Sequence, residues 1–549
     1  MAIRRDRLSV SNRNLILSTL ALSYIAKFVL YRYAVELNDG LNAWQIIGAY
    51  TILVGVSMLL ACIGMYKGRI GASLLTMVVV DVWLFANIIY YKSNFLLLDW
   101  FVIQIADNMK GFEDSIESYL QWWYFLIPAI SIVVGAFLIR YRSVLKTETI
   151  PAKRFLGIIG ISFAIYMAGT CLGAYGNEKY AHDNEDKWVF EQDRMLLLKV
   201  HSPIGHMVTV VCDGIKDRIM HHKAIRPLNE QEKGVLSVIY TDSVEANVPQ
   251  GHLVFVLVES LESWPFTVKD NRGVEVCEQL NRYMQTHNVL FCPRVTSQQK
   301  YGRSGDGQLI TQTGMLPLSS GVTCMSHGDN VYPNLAHFYP DGVVLNPYAG
   351  VWNQHVTTYS YGFKRLRETS IFHKGTDSLM VAWAREELEQ ATEPTCVLLL
   401  TLETHAPFRS ARNSLDLGNS YPTLETKYLQ CVHQLDAQLG RFFAWADTTE
   451  TMKDATIVIT ADHNHFPVRD GKGLCPLIIC SPQITQSTFI SEAYQMDIFP
   501  TVLHAIGQSN YAWHGFGIDL LDSTAQRTIS VSQAYSLSDK MIRTNYFKK

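Results

Sequence analysis

Carboxylate and imidazole side chains follow three separate apolar runs in the second half of the chain. They are Glu259, Glu403, His405, Asp462 and His463. Carboxylate oxygens and imidazole nitrogens are ligands that divalent cations take up in proteins. A single Asp-His pair is more often a hydrogen-bonded pair in a loop. The convergence of three strand ends instead favours a metal site that includes Glu259, Asp462 and His463.

The runs that precede these residues have the composition of buried strands. They are Leu253–Val258, Cys396–Leu402 and Ala455–Thr460, and a fourth run is Leu474–Cys480. Helical patterns lie between them at Glu275–Gln285, Ser378–Gln390 and Tyr428–Ala446. This alternation predicts an α/β domain with a mainly parallel sheet and helices on both faces. Because ligands bind at the carboxyl ends of such strands, the candidate ligands should meet at one edge.

A serine in a glycine-rich segment is the candidate nucleophile. Ser304 is flanked by Gly302, Gly305 and Gly307, so the backbone there could approach a substrate closely. The same residue types are ordinary turn residues, and spacing alone favours a surface turn. A serine hydroxyl is a weak nucleophile that coordination to a dication activates. Ser304 is therefore of chemical interest only beside a metal site.

The first third of the chain carries five apolar stretches, each near the roughly 20 residues that a helix needs to cross a bilayer. They are Leu15–Ala34, Ala43–Met65, Ile70–Tyr91, Trp122–Ile139 and Phe155–Tyr175. Five such stretches in a row argue against buried helices of a soluble core. The first is not a cleaved signal peptide, because it is long, lacks a small-residue cleavage site and precedes further spans.

Basic residues decide the expected orientation. Arg4, Arg5, Arg7 and Arg13 precede span one. Lys67 and Arg69 lie between spans two and three, and Arg140, Arg142, Lys146, Lys153 and Arg154 lie between spans four and five. The positive-inside rule then places the N-terminus in the cytoplasm and everything after Tyr175 outside. Lys27 and Asp81 lie at similar depth in spans one and three, which predicts an ion pair between them.

Length and composition set the remaining limits. The chain has 549 residues, a net charge of −3 and 18% charged residues, against about 25% in soluble proteins. This excludes a disordered, collagen-like or coiled-coil chain and gives no support to nucleic-acid binding. Ten cysteines are too few for a disulfide scaffold. We expect a membrane domain at 1–175, a partly helical connector at the membrane surface at 176–235, an extracytoplasmic domain at 236–525 and a C-terminal tail at 526–549.

Taken together, these residues resemble the lipoteichoic acid synthase and phosphoglycerol transferase family of the alkaline phosphatase superfamily. The resemblance covers the five-span part and roughly residues 250–520. The motifs that carry it are Glu259-Ser260-Leu261, Gly302-Arg303-Ser304-Gly305-Asp306, Met315–Pro317, His405–Phe408, Asp462-His463, Asp497–Thr501 and Gly517–Leu520. A formylglycine sulfatase is disfavoured, because the Cys/Ser-x-Pro-x-Arg signature does not occur.

The resemblance implies a membrane-anchored transferase that uses one divalent metal ion, Mn²⁺ first, with Mg²⁺ or Zn²⁺ as alternatives. The implied metal ligands are Glu259, Ser304, Asp462 and His463. Ser304 would attack a phospholipid of the outer leaflet such as phosphatidylglycerol, release diacylglycerol and pass phosphoglycerol to a glycolipid, a glycan or a growing polymer. The implied headgroup-binding residues are His405, Trp352, Arg303 and Asn353.

One departure keeps the donor open. The family's Trp-Asn-Arg motif reads Trp352-Asn353-Gln354 here, so the phosphate-binding arginine is missing at that position. Arg303 or His355 could substitute for it. A phosphoethanolamine transferase is therefore the first alternative, and a phosphodiesterase with water as acceptor is the second. A non-catalytic membrane sensor is disfavoured, because all four implied metal ligands are retained.

Overall fold

The computed structural model of this chain describes residues 2–39, 41–65, 70–104, 116–117, 119–141, 152–181, 202–221, 227–240, 248–369, 375–468 and 471–548. The described residues up to 221 form one compact unit and those from 227 onward form a second. We call them the membrane unit and the α/β unit. Residues 182–201 of the expected connector lie outside the described residues.

The described part of the membrane unit is mainly helical. Its helices are α1 (Ala2–Ala34), α2 (Ala43–Met65), α3 (Ile70–Asn94), the short α4 (Trp100–Gln104), α5 (Leu126–Arg140), α6 (Ala152–Ala181) and α7 (Pro203–His221). A 3₁₀ turn at Trp122–Phe125 leads into α5. Among the described residues, five helices are long and apolar enough to cross a membrane, which confirms the five predicted spans.

Helices α2 and α6 pack with their backbones in contact. A Cβ at Gly48 would lie 2.6 Å from the carbonyl oxygen of Gly169, and a Cβ at Gly55 would lie 2.7 Å from that of Ser162. Small residues let helices approach closely where lipid removes the hydrophobic drive for association. Any larger side chain at these glycines would push the two helices apart.

The predicted ion pair inside the membrane unit is confirmed. Lys27 Nζ lies 2.6 Å from Asp81 Oδ1, and the Lys27 side chain is fully buried. The same ammonium group also donates to Ser131 Oγ, so the pair joins α1, α3 and α5. A charge in hydrocarbon is costly without a partner, and Asp81 supplies one here.

The α/β unit is built on a nine-stranded sheet in the order β4-β3-β5-β1-β6-β7-β2-β8, with β9 paired to β2. The strands are β1 (Leu253–Val258), β2 (Val289–Thr296), β3 (Asp341–Asn346), β4 (Arg365–Glu368), β5 (Thr395–Leu400), β6 (Thr456–Ala461), β7 (Cys475–Cys480), β8 (Thr488–Phe489) and β9 (Ala493–Tyr494). Strand β7 is antiparallel to both of its neighbours and the other pairings are parallel. The sheet is therefore mainly parallel, as predicted.

Helices lie before, between and after these strands. They are α8 (Glu230–Ile239), α9 (Glu278–Thr286), α10 (Arg303–Thr313), α11 (Thr323–Ser326), α12 (Gln354–Ser360), α13 (Thr376–Gln390), α14 (Thr423–Ala446), α15 (Ile498–Ala505) and α16 (Val531–Arg543). Helix α16 lies within the stretch that we expected to be a tail. Its Ser538 hydroxyl bonds the backbone N–H and carbonyl of Leu316, at 2.9 and 2.6 Å.

Disulfide bonds do not cross-link the described part of the α/β unit. All ten cysteines lie among the described residues, and none of them forms a disulfide bond. Most are buried in strands and helices, where a free cysteine behaves as a small apolar side chain.

Candidate metal and nucleophile site

Strands β1 and β6 bring the first candidate ligands together. They pair in parallel with Val258 opposite Ala461, so Glu259 and Asp462 leave the sheet side by side at one edge. The backbone N–H of Ser260 donates to Asp462 Oδ1 at 2.9 Å. The parallel register thus fixes the separation of two acidic side chains that lie about 200 residues apart in the sequence.

Glu259, Asp462 and His463 form a buried cluster whose potential ligand atoms all lie within 4.8 Å of one another. His463 Nε2 is 3.5 Å from Glu259 Oε1 and 3.7 Å from Asp462 Oδ2. One nitrogen and two carboxylates at this spacing are a donor set that a divalent ion can share.

The protonation state of His463 suits a metal ligand. Its Nδ1 lies 3.0 Å from the Asn464 carbonyl oxygen, which requires the proton on Nδ1 and leaves the Nε2 lone pair facing the carboxylates. Burial lowers the pKa of His463 to about 4. The ring is therefore neutral at pH 7.

The electrostatics of the carboxylates also fit a cation. Burial, and then the like charge of Asp462, raises the pKa of Glu259 well above its ordinary value. Two buried carboxylates this close repel each other when both are ionised. A bound divalent ion removes that repulsion, so the donor set and its charge both fit the expected metal.

Ser304 joins this cluster from the first turn of α10. Its hydroxyl lies 3.2 Å from Glu259 Oε2 and 3.3 Å from His463 Nε2. The surface turn that spacing favoured is wrong, because Arg303–Thr313 is a helix whose residues from Gly305 onward are buried. Its glycines serve close packing: a Cβ at Gly307 would overlap the Asp462 backbone.

A buried carboxylate shapes the segment that presents the nucleophile. Asp306 Oδ2 accepts from the backbone N–H groups of Lys300 and Gly302 at 2.8 and 2.9 Å. Burial raises the pKa of Asp306 to about 6. Arg303 adopts φ +43°, in the left-handed region that costs a non-glycine residue energy. The segment is thus held in a strained shape directly before Ser304.

The four candidate headgroup residues differ in what they contact. Arg303 adjoins Ser304 in the chain, and its charge partly offsets the rise in pKa that burial causes in Glu259 and Asp306. Trp352 is close to α10, since a Cβ at Gly305 would lie 3.4 Å from Trp352 Cβ. The side-chain nitrogen of Asn353 donates to the Cys324 carbonyl at 2.9 Å and so holds its own loop.

His405 is a partly buried ring near the same charges. Its Nδ1 lies 2.6 Å from the Ala406 carbonyl oxygen, which places the ring proton on Nδ1. Burial lowers its pKa, while the nearby charge of Asp462 raises it.

Gln354, which stands in place of the family arginine, and the next residue, His355, differ in their exposure to solvent. Gln354 is buried, and its side-chain nitrogen donates to Thr358 Oγ1 within α12 at 3.1 Å. His355 is exposed and lies 3.6 Å from Glu368. Arg303 and His355 were the two residues considered as substitutes for the family arginine. Of these, Arg303 interacts electrostatically with Glu259 of the candidate metal cluster, whereas the contact described for His355 is with Glu368.

Sequence reasoning missed Glu262. Its Oε1 accepts from the backbone N–H groups of His465 and Phe466 at 3.0 and 2.6 Å. Its Oε2 accepts from Gly473 N and Trp264 Nε1, both at 2.9 Å. Glu262 therefore fixes the loop that carries His463. The signal was its position three residues after Glu259, in a stretch that otherwise reads as a turn.

Tyr428 supports the other side of the cluster. Its hydroxyl donates to the Ser260 carbonyl at 2.9 Å and accepts from the Glu262 backbone N–H at 2.8 Å. Ser260 itself has φ +53°, which any residue but glycine adopts at a cost. Hydrogen bonds therefore hold the backbone after β1 in a conformation that is energetically unfavourable for a non-glycine residue.

A mainly parallel sheet with a serine, two carboxylates and a histidine at its edge is the arrangement of a metal-dependent enzyme of the alkaline phosphatase type. Residues 319–508 match the sulfatase family, and residues 3–209 match the lipoteichoic acid synthase N-terminal domain.

Named relatives extend over most of the chain. The lipoteichoic acid synthase of Staphylococcus saprophyticus is 20% identical over 528 residues, covering 86% of this chain and 78% of that protein. Lipoteichoic acid synthase 1 of Bacillus subtilis is 21% identical over 533 residues, covering 87% and 80%. Among solved structures, the integral membrane lipooligosaccharide phosphoethanolamine transferase of Neisseria meningitidis is 10% identical with a TM-score of 0.55, covering 91% of this chain and 98% of that one.

These matches confirm the resemblance to the lipoteichoic acid synthase and phosphoglycerol transferase family: residues 3–209 match that family's N-terminal domain, and residues 319–508 match a sulfatase domain. They confirm the fold class, and the named lipoteichoic acid synthases bear out the predicted enzyme class, a phosphotransferase of the lipoteichoic acid synthase type. The chain is an integral membrane protein with an extracytoplasmic catalytic domain that uses a divalent metal.

Proposed function

We propose that the chain transfers phosphoglycerol from phosphatidylglycerol, through a covalent ester on Ser304, to a hydroxyl of a glycolipid, a glycan or a growing polymer. The observation that carries this proposal is the position of the Ser304 hydroxyl, 3.2 Å from Glu259 and 3.3 Å from His463. Both residues belong to the buried cluster that also contains Asp462. A serine placed there is a nucleophile candidate rather than a surface residue.

Glu259, Asp462 and His463, with the Ser304 oxygen as a fourth ligand, would hold one divalent ion. When bound, the ion supplies positive charge that acidifies the serine hydroxyl and offsets charge on the phosphate. We propose Mn²⁺ as the ion. The mixture of oxygen and nitrogen donors also suits Zn²⁺, and Mg²⁺ less well.

The remaining steps are the exchange of bonds at phosphorus and the proton transfers that accompany it. A bond forms between Ser304 Oγ and phosphorus while the bond to the diacylglycerol oxygen breaks, and that oxygen leaves with a proton as diacylglycerol. In the second half of the reaction, an acceptor hydroxyl attacks phosphorus and Ser304 regains its proton. Glu259 Oε2, at 3.2 Å, is placed to take the serine proton and pass it to the leaving diacylglycerol oxygen. In the second half it would take the proton of the acceptor hydroxyl and pass it to Ser304.

Two groups are suited to the anionic phosphate. Arg303 carries a permanent positive charge next to Ser304 in the chain. Ser304 lies in the first turn of the 11-residue helix α10, where the helix dipole favours negative charge. Together they compensate for the arginine that Gln354 replaces.

The neighbouring aromatic residues suit the glycerol part of the headgroup. His405 is neutral at pH 7 because burial lowers its pKa, so it is suited to accept a hydrogen bond from a hydroxyl rather than to protonate a leaving group. Trp352 would wall the headgroup pocket. Asn353 would act chiefly by holding the loop of Trp352, because its amide already bonds Cys324.

We further propose that the N-terminus lies in the cytoplasm, since Arg and Lys dominate the predicted inner loops. The membrane unit would then hold the α/β unit beside the outer leaflet, where a phospholipid donor is available. The domain division proposed here remains 1–175, 176–235, 236–525 and 526–549.

The alternative donor is phosphatidylethanolamine. It remains an alternative because Gln354 replaces the family's phosphate-binding arginine. The test is turnover in vesicles that contain fluorescent phosphatidylglycerol or phosphatidylethanolamine, with Mn²⁺ present. We expect diacylglycerol from phosphatidylglycerol with the wild type, none with Ser304→Ala, and normal turnover with Ser523→Ala, an exposed serine. Release from phosphatidylethanolamine alone would overturn the donor and keep the chemistry.

Metal content tests the ligand set separately. After dialysis, we expect one divalent ion per wild-type chain and none in Asp462→Asn. Reloading with Mn²⁺ should restore more turnover than Mg²⁺ or Zn²⁺. A chain that holds no divalent ion and releases diacylglycerol from neither lipid would instead be a non-catalytic membrane protein.

A further inference from the structure

Helix α7, Pro203–His221, has its polarity inverted relative to a helix on a water-exposed protein surface. Its exposed residues include Val208, Val211, Ile215 and Ile219, which are 52 to 58% exposed, and Cys212 between them. The spacing of three and four between the valines and isoleucines places them on one face. Among the described residues, Thr209 and Lys216 are the exposed polar ones on this side, and a lysine there can extend its ammonium group to the headgroups. A helix in water would bury this apolar stripe and expose its polar groups.

The opposite face of α7 carries polar groups and is docked on the membrane unit. The buried His206 has its Nε2 2.9 Å from the Leu98 carbonyl oxygen. Trp100 Nε1 lies 3.3 Å from Asp217 Oδ2. Gly214 lies flat against the Trp100 indole, where a Cβ would be 2.6 Å from Cδ2. The orientation of the helix about its own axis is therefore fixed, and the apolar stripe points outward.

The start of α7 is at membrane depth. Trp83 Nε1 donates to the Pro203 carbonyl at 2.9 Å, and Trp83 lies inside the span Ile70–Asn94. Trp83 precedes the end of α3 by 11 residues, about 16 Å along the helix axis. The start of α7 therefore lies at a depth that a spanning helix also occupies.

Backbone groups in the first turn of α7 have hydrogen-bond partners within the protein and do not depend on water. Pro203 has no backbone N–H to satisfy. The N–H groups of Gly205 and His206 bond the side chain and the carbonyl of Ser202, both at 2.9 Å. In hydrocarbon, backbone polar groups must find partners within the protein, and these do.

We infer that α7 is embedded in the leaflet on the side of the α/β unit, with Val208, Val211, Cys212, Ile215 and Ile219 in contact with lipid acyl chains. The partner is therefore a lipid surface. This inference concerns membrane contact, and its test does not depend on the proposed transferase activity.

Cys212 offers the test, because it lies in the stripe. A bimane label is attached to Cys212 in the Cys171→Ser variant of the full chain, in vesicles of phosphatidylglycerol and phosphatidylethanolamine. The lipid reference is Cys171 in the Cys212→Ser variant, since Cys171 is exposed within the span Ala152–Tyr175. The water reference is Lys453→Cys in the Cys171→Ser/Cys212→Ser variant, because Lys453 is exposed on the α/β unit. That doubly substituted chain without Lys453→Cys gives the labelling background.

Dibromo-acyl lipids should quench the label at Cys212 as strongly as the label at Cys171, and iodide should quench neither. At position 453 the pattern should be reversed. Quenching of Cys212 by iodide would mean that the stripe faces water. No quenching by either agent would mean that protein covers it, the α/β unit or a second copy of the chain. Both of the last two results would overturn the inference.

Discussion

Gly307 of helix α10 packs directly on the backbone of Asp462, at a separation where a Cβ at position 307 would lie 2.7 Å from Asp462 Cα. This contact sets the nucleophile helix against the end of the strand that carries two of the candidate metal ligands. The geometry of Ser304 relative to His463 therefore depends on the absence of a side chain at position 307.

Gly307→Ala should separate α10 from β6. Overpacking of a filled interior costs about 1–3 kcal/mol, and the shift should also weaken metal binding. Thermal unfolding and metal titration measure the two effects. The matched control is Gly234→Ala in helix α8, where a Cβ would meet nothing within 4 Å. That change should stabilise the chain by about 0.4–1 kcal/mol. Similar behaviour of the two variants would contradict the packing argument.

Glu262→Gln should loosen the loop that carries His463. Both carboxylate oxygens of Glu262 accept two N–H donors, and the amide nitrogen of glutamine can accept none. We expect a loss of about 1–3 kcal/mol in unfolding free energy, with weaker metal binding. Glu278→Gln, at an exposed position, should change stability by less than about 0.5 kcal/mol. Unchanged metal affinity in Glu262→Gln would show that the loop holds its shape without this carboxylate.

Asp81→Asn should destabilise the membrane unit, because it leaves the Lys27 charge buried without its counter-charge. Breaking a buried pair from one side costs about 3–5 kcal/mol, and the retained amide oxygen should keep the loss near the lower figure. The double variant Lys27→Met/Asp81→Leu should recover much of the loss, since it removes both charges. Unfolding in detergent micelles measures all three proteins. Wild-type stability in Asp81→Asn would mean that the pair contributes nothing.

Asp436 should make the metal-free α/β unit less stable as the pH rises. Burial raises its pKa to about 6, although it accepts from the backbone N–H groups of Gln279 and Leu280. The folded chain therefore binds this proton more tightly than the unfolded chain does. The stabilisation is complete below about pH 4 and is lost as the pH passes through 6, at most about 3 kcal/mol.

The Asp436→Asn variant isolates this effect. Between pH 4 and 6, in the presence of a chelator, the unfolding free energy of the wild type should fall relative to that of the variant. Above pH 7 the difference should be constant. Parallel stability profiles across the whole range would show that Asp436 ionises in the folded chain as it does in the unfolded one.

Hydropathy and local motifs predicted much of this structure. The five spans follow from length and composition, and the depth of Lys27 and Asp81 along α1 and α3 was enough to pair them. Glu259 and Asp462 were predicted to meet because parallel strands end at a common edge. These are properties of one element or of a simple repeat, and a sequence displays them directly.

Other features depend on contacts that local patterns do not encode. The segment around Ser304 reads as a turn, but in the structure it begins a helix in which Gly305 packs on Cys324 and Gly307 on the Asp462 backbone. Glu262 reads as an ordinary acidic residue until the loops carrying Phe466 and Gly473 fold around it. The short edge strand β4, Arg365–Glu368, is too polar to be recognised as part of a sheet.

The most direct test of the central claim is the intact mass of the purified chain after incubation with phosphatidylglycerol and Mn²⁺, without acceptor. We expect an adduct of one phosphoglycerol group on the wild type, located on Ser304 by fragmentation and absent from Ser304→Ala. An adduct on another residue, or diacylglycerol release by the Ser304→Ala variant at the wild-type rate, would contradict Ser304 as the nucleophile.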